Sequence, residues 1–240
     1  MNILNLFNKN IKKYGHIISL GYNCEVAYQF FKYHHFVESS LFAWSNTINI
    51  ENLIYALNNL DKLTTGEVQN AIPMWECINT KIRFHGKAPM NIWFSENTPT
   101  DDLINSDREE LIARINHLKE KFIITSNDKK KNLYIFKYLI LEKDTFENIS
   151  KAITELYSAL KNIVNNEFDL LFIFEESELF QKLKQESFDK HIYLKSVKFF
   201  APEDNVTGKI NDTKGWKKIF DEFKPNFKLK KTKKFKFEDV

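Results

Sequence analysis

Short apolar runs alternating with helical patterns predict an α/β fold, and three observations carry that expectation. Runs rich in β-branched and aromatic residues fall at 16–20, 81–85, 132–141, 168–174 and 191–199. Between them lie stretches with the 3.6-residue spacing of amphipathic helices. The run Phe168-Asp169-Leu170-Leu171-Phe172-Ile173-Phe174 is nearly all apolar, as an inner strand covered on both faces requires. Crossovers long enough to hold a helix let successive strands lie parallel and place helices on both faces. The expected architecture is a single Rossmann-like three-layer domain over 1–223, with a mostly parallel sheet.

Taken in chain order, Ile17-Ile18-Ser19-Leu20 reads as a buried strand, Gly21 permits a sharp turn, and a helix follows over 24–31. Leu53, Ile54, Leu57 and Leu60 form one face of a helix at 50–60. A second helix at 107–121 carries Leu111, Ile115, Leu118 and Phe122, with Ser106 as its expected N-cap and Glu109 as capping-box partner. A third, at 144–164, repeats the pattern through Ile149, Ile153, Leu156, Leu160 and Ile163. The stretch 63–102, with three prolines and two tryptophans, reads as irregular, and no internal repeat is visible.

Composition narrows the function classes. Hydrophobic residues make up 43% of the 240, Phe alone numbers 22, and only 6 Gly and 5 Pro are present, which suits a globular chain and not a disordered one. Two cysteines make no disulfide framework and form no C-x-x-C metal pair, so a reducing compartment and no metal are expected. The first fourteen residues lack the apolar core of a signal peptide, and no window approaches the ~20 apolar residues that span a bilayer. The expectation is a cytoplasmic protein. Net charge is +3 but uneven: in 224–240, seven lysines from Lys224 to Lys236 face only Glu238 and Asp239, giving +5 there and −2 elsewhere. This tail fits weak contact with a polyanion or an anionic membrane surface, or else a solvated terminus or lysine-protected edge.

Chemistry concentrates at Ser19-Leu20-Gly21-Tyr22-Asn23-Cys24. A thiol between a strand and a helix N-terminus lies in the positive end of the helix dipole, which favours the reactive thiolate. In an open parallel sheet it would also lie beyond the carboxyl ends of the strands, where ligands bind. The other reading is a small buried Cys packed where strand meets helix.

A cysteine nucleophile needs a base, and His85 is the leading candidate, because it closes the strand at 81–85 and precedes Gly86, on the edge where Cys24 is expected. His34 and His35 suit the end of the first helix as cations facing its dipole, His16 lies at the far end of its strand, and His117 and His191 read as structural. Asp212 is a candidate third group or simply a turn former. Asn23 is expected to orient substrate, and the amides around Cys24 and Glu25 to supply an oxyanion site. Of Trp44, Trp75, Trp93 and Trp216, three are expected to pack, while Trp44 with Phe42 joins the pattern that follows.

Ser19-Leu20-Gly21-x-x-Cys24-x-x-Ala27, followed by Ser39-x-x-Phe42-x-Trp44, resembles the start of a family of uncharacterised bacterial and viral proteins described as papain-like cysteine peptidases. That family reads Ser-Leu-Gly-x-x-Cys, a short helix, then Pro-Phe-Asp-Trp, with a later His-Asp pair, an Arg-containing helix and an apolar strand. The corresponding positions here are His85, the helix with Arg114, and 133–140. Ala43 stands where the family has Asp between Phe and Trp, and Gly86 where Asp follows its His. The resemblance implies a thiol-dependent hydrolase or acyltransferase acting on a small-molecule, peptide or glycan substrate, with a role in surface-glycan biosynthesis or modification. Cys24 and His85 would be catalytic, and Gly21, Asn23, Glu25, Phe42 and Trp44 would line the substrate site. A similar Gly-Asn-Cys turn in capsule acetyltransferases implies coenzyme A under the acyltransferase reading. No other cofactor is expected, since neither Gly-x-Gly-x-x-Gly nor a Walker pattern is present. The alternatives are a glycosyltransferase-like or other glycan-processing enzyme with a structural Cys24, and a degenerate binding module.

Overall fold

The computed structural model describes residues 11–36, 39–47, 49–64, 68–71, 74–85, 101–202 and 209–226. Four strands of apolar sequence form its centre: β2 (His16–Ser19), β7 (Asn132–Lys137), β8 (Phe168–Glu175) and β9 (Ile192–Val197). They pair in the order β2-β7-β8-β9, every ladder parallel. The chain is thus an α/β protein with a mostly parallel sheet.

Strand alternation divides the core in two. Ile18, Tyr134, Phe136, Leu170, Phe172 and Phe174 point to one side, where they meet α2 (Ile50–Asn58), α3 (Asp101–Ser126), α4 (Phe146–Lys161) and α5 (Glu178–Leu183). Ile17, Leu133, Ile135, Leu171 and Ile173 point to the other, against α1 (Glu25–His34) and α6 (Thr213–Glu222). This explains the nearly all-apolar run of β8, since both sets of its side chains are covered. Each large side chain so buried contributes roughly 1.5–3 kcal/mol.

Several expectations are corrected. The strand expected at 81–85 is only two residues, β6 (Arg83–Phe84), and it lies outside the parallel sheet. It joins an antiparallel one of order β3-β6-β5-β4, with β3 (Ser45–Asn46), β4 (Val68–Ala71) and β5 (Met74–Cys77). Part of the stretch read as irregular, within 68–84, therefore forms an antiparallel sheet, and Trp75 Nε1 ties it to α3 by donating 2.8 Å to Asp107 Oδ2. Helix α3 begins at Asp101, so Ser106 is inside it and caps nothing. The capping box belongs to α4, where Thr145 Oγ1 accepts from Asn148 N and Asn148 Oδ1 from Thr145 N.

Near the carboxyl end of the described residues, β10 (Phe223–Pro225) pairs in parallel with β1 (Lys12–Tyr14), so Lys224 belongs to a strand. The remaining tail lysines, Gly86 and Trp93 lie outside the described residues. Among the described residues no helix is long and apolar enough to cross a membrane.

Candidate active site

Leu20 N donates to Ile135 O at 2.8 Å, holding the chain in the sheet for one residue past β2. Gly21 and Tyr22 then adopt φ of 91° and 69°. A Cβ on Gly21 would sit 2.9 Å from Thr47 Cγ2 and 3.2 Å from Phe42 O, so both backbone angle and space demand glycine. Its role here is conformational. Tyr22 has no such licence, and a left-handed tyrosine costs about 1–2 kcal/mol. Two bonds hold it: Tyr22 N to Thr47 Oγ1 at 2.8 Å and Thr47 N to Tyr22 O at 3.1 Å. The reversed chain places Cys24 at the N-cap of α1, with no side-chain capping bond from its sulfur.

Behind the thiol lies a buried polar network that the sequence reading missed. Lys137, the last residue of β7, is 1% exposed, and its Nζ is 2.8 Å from Glu25 Oε2, itself fully buried. The same ammonium is 3.4 Å from Asn23 Oδ1 and stands over the rings of Phe200 at 4.4 Å and Tyr22 at 5.2 Å. Glu25 Oε1 accepts from Ala201 N at 2.9 Å, so both carboxylate oxygens are engaged. Asn23 Oδ1 also accepts from Glu25 N at 3.1 Å. Glu25 thus anchors the network instead of facing a substrate. A lone Lys within an apolar inner strand is costly unless paired, and that was the signal available in Asn132-Leu133-Tyr134-Ile135-Phe136-Lys137.

Burial pushes the Cys24 thiol up to about 11; its own backbone and the Lys137 ammonium pull it back, and Glu25 adds to the rise. The helix dipole does not overcome desolvation here, so the resting sulfur is a thiol. His85 follows β6, whose partner β3 lies next to Thr47 and the Cys24 turn. Its carbonyl accepts from Arg114 Nη2, and burial followed by the Arg114 charge lowers its imidazole, leaving it neutral at pH 7. Among the described residues no hydrogen bond joins Cys24 to His85. Phe42 is a core residue whose ring meets Phe122 edge-on at 5.7 Å, whereas Trp44 is half-buried in the turn before β3. Beside Tyr22 a cleft opens between Asn49, Ile50, Tyr138, Leu141 and Asp144.

The other polar candidates have structural duties. Asp212 caps α6, accepting from Gly215 N at 3.0 Å and Lys198 N at 2.8 Å. Trp216 is buried against Phe220 and Phe200. At the amino ends of the strands, His16 pairs with Asp128, while Glu167, Asp169 and His191 bring three potential metal-ligand atoms within 4.8 Å of one another. Lys131 Nζ, 2.9 Å from both Asp169 Oδ1 and Glu167 Oε1, fills the place a cation would take.

His34 was expected as a cation at the end of α1, but burial, then the Lys224 charge, holds it down to about 4. Between about pH 6.5 and 4 the unfolded chain therefore takes up a proton that the folded one refuses. Stability falls through that window as pH drops and is unaffected above it. Discounted for a half-exposed ring, the loss is about 1–2 kcal/mol. His85, lowered as well, adds a fall of the same sign in both chains, so urea unfolding across the window should show a steeper loss in the parent than in His34→Gln; equal slopes would refute the assignment.

No protein-family model matches the chain, and neither a curated protein nor a solved structure is significantly similar to it.

Proposed function

We propose that this protein is a cysteine-dependent hydrolase or acyltransferase, with a Rossmann-like scaffold presenting Cys24 to an acyl or amide carbon. The observation that carries the reading is the strand, left-handed turn and helix that set the thiol at the carboxyl edge of the sheet, against a buried ammonium. A sharp turn of this kind exposes a nucleophile while packing its neighbours. His85 is the proton acceptor: its imidazole is neutral, and contacts in unliganded sites are often long until substrate closes them.

In the reaction Sγ gives its proton to His85 and bonds to the acyl carbon, whose oxygen becomes an oxyanion. Collapse expels the amine, alcohol or thiol leaving group, which receives the proton from the imidazolium. Water or an acceptor hydroxyl then cleaves the thioester. This reading assigns Trp44 to substrate contact, and the substrate is a small molecule, peptide or glycan, with coenzyme A as donor in the transferase case. We place this chemistry in the cytoplasm, in surface-glycan biosynthesis or modification, with weak contact to a polyanion or anionic membrane through the lysines of 224–236.

Incubation with p-nitrophenyl acetate should give an acetyl adduct at Cys24 by mass spectrometry, absent from Cys24→Ala. His85→Ala should slow its formation by roughly 10²–10⁴-fold. A chain acetylated equally well without Cys24 refutes the reading. The raised thiol and its lack of a bond to His85 favour a second reading, a binding module or glycan-processing transferase in which Cys24 only packs. In that case no adduct forms at Cys24, and thermal shifts with nucleotide sugars locate the ligand.

A further inference from the structure

We propose that Asn23 Nδ2 and the amino end of α1 form an oxyanion site that holds the oxygen of an acyl group attacked by Cys24. This rests on the thiol-acyl reading and adds to it the group that stabilises the charge. Asn23 is 8% exposed, and its Nδ2 is buried with no hydrogen-bond partner. A buried donor left unpaired costs about 1–3 kcal/mol, a cost that an arriving acceptor removes.

The carboxamide has only one workable orientation. Its Oδ1 accepts from two donors, Glu25 N at 3.1 Å and Lys137 Nζ at 3.4 Å. Exchanging oxygen and nitrogen would set an N–H against both, so the free end is the donor. The bond to Glu25 N also lays the carboxamide across the start of α1, which puts Nδ2 at the helix end that carries Cys24. This ten-residue helix begins without a capping bond from Cys24; the Glu25 amide expected to serve an oxyanion is taken by Asn23 Oδ1, but the N–H groups that follow it in the first turn lack intrahelical acceptors.

Charge agrees with geometry. The nearby carboxylate, Glu25, is paired with Lys137 and bonded to Ala201 N, so the two charges largely offset each other at the helix end. The helix dipole and the unpaired Nδ2–H are what favour an anion there. The ligand is therefore an oxygen that gains negative charge on attack, the carbonyl oxygen of an ester, thioester or amide.

Asn23→Asp separates this role from a structural one. It keeps an acceptor of the same shape for Glu25 N and Lys137, yet replaces the donor with an anionic oxygen. Two reactions of Cys24 are compared at one pH: alkylation by iodoacetamide, which passes through no oxyanion, and acylation by p-nitrophenyl acetate, which does. The ratio of acylation to alkylation should fall by about 100-fold or more in the variant, because a change in thiol ionisation alone slows both alike. Asn23→Ala, whose side chain has no donor, should lower the same ratio and serves if the Asp variant does not fold. An unchanged ratio in a folded variant overturns the oxyanion site and leaves the nucleophile standing. Absence of acylation at Cys24 in the parent chain overturns both.

Discussion

Lys137→Met lowers the free energy of unfolding by about 3–5 kcal/mol, the usual loss when one partner of a buried ion pair is removed. Glu25 would keep Ala201 N but lose the ammonium that offsets its charge, in a position with no access to solvent. Glu25→Gln is expected to cost less, since an amide oxygen still accepts from Lys137, and the double variant Glu25→Gln/Lys137→Met should recover most of the loss of Lys137→Met. Urea denaturation of the four chains gives the coupling directly. A second readout is chemical. Lys137 is the nearby charge that pulls the Cys24 thiol down, so in a folded Lys137→Met chain alkylation of Cys24 at a given pH should slow. If Lys137→Met costs under about 1 kcal/mol, the pair is not the internal support described here.

That pair also marks where sequence reading ran out. The parallel sheet was legible because β2, β7 and β8 announce themselves as apolar runs, and a strand buried on both faces has no other composition open to it. The Cys24 turn was legible for a local reason as well: Gly21 supplies the left-handed angle between an apolar strand and a helix. Lys137 and Glu25 lie 112 positions apart, and nothing short of the β2–β7 pairing brings them together. The antiparallel sheet escaped because its strands are two to four residues long, too short for alternation to register. That omission carried over to His85, which was placed on the edge of the parallel sheet only because its strand was assigned there. The start of α3 was misplaced because Ser106 and Glu109 match a capping box by spacing alone, and a helix passing through them leaves no mark in one sequence.

Asp169→Ala should be as damaging as the loss of Lys137, through a different kind of failure. Asp169 is 1% exposed near the start of β8 and gathers Tyr14 OH at 2.6 Å, His191 Nδ1 at 2.8 Å and Lys131 Nζ at 2.9 Å. Three chain segments meet on this one carboxylate. Removing it strands a fully buried tyrosine hydroxyl and deprives His191 and Lys131 of a charged partner, although Lys131 keeps Glu167, and the three lost bonds together cost about 3–5 kcal/mol. Asp169→Asn retains an acceptor and should cost clearly less. Tyr14→Phe removes a single hydrogen bond to a charged group, worth about 1.5–3 kcal/mol. The damage should also be directional: Tyr14 ends β1, β1 pairs with β10, and β10 follows α6 without a break, so this bond fastens the chain's last described helix to the sheet. Hydrogen exchange in a folded Asp169→Asn or Tyr14→Phe chain should therefore quicken in β1 and β10 before it does in β7 and β8. Uniform quickening across all four strands would mean that Asp169 supports the core as a whole and holds no separate clasp.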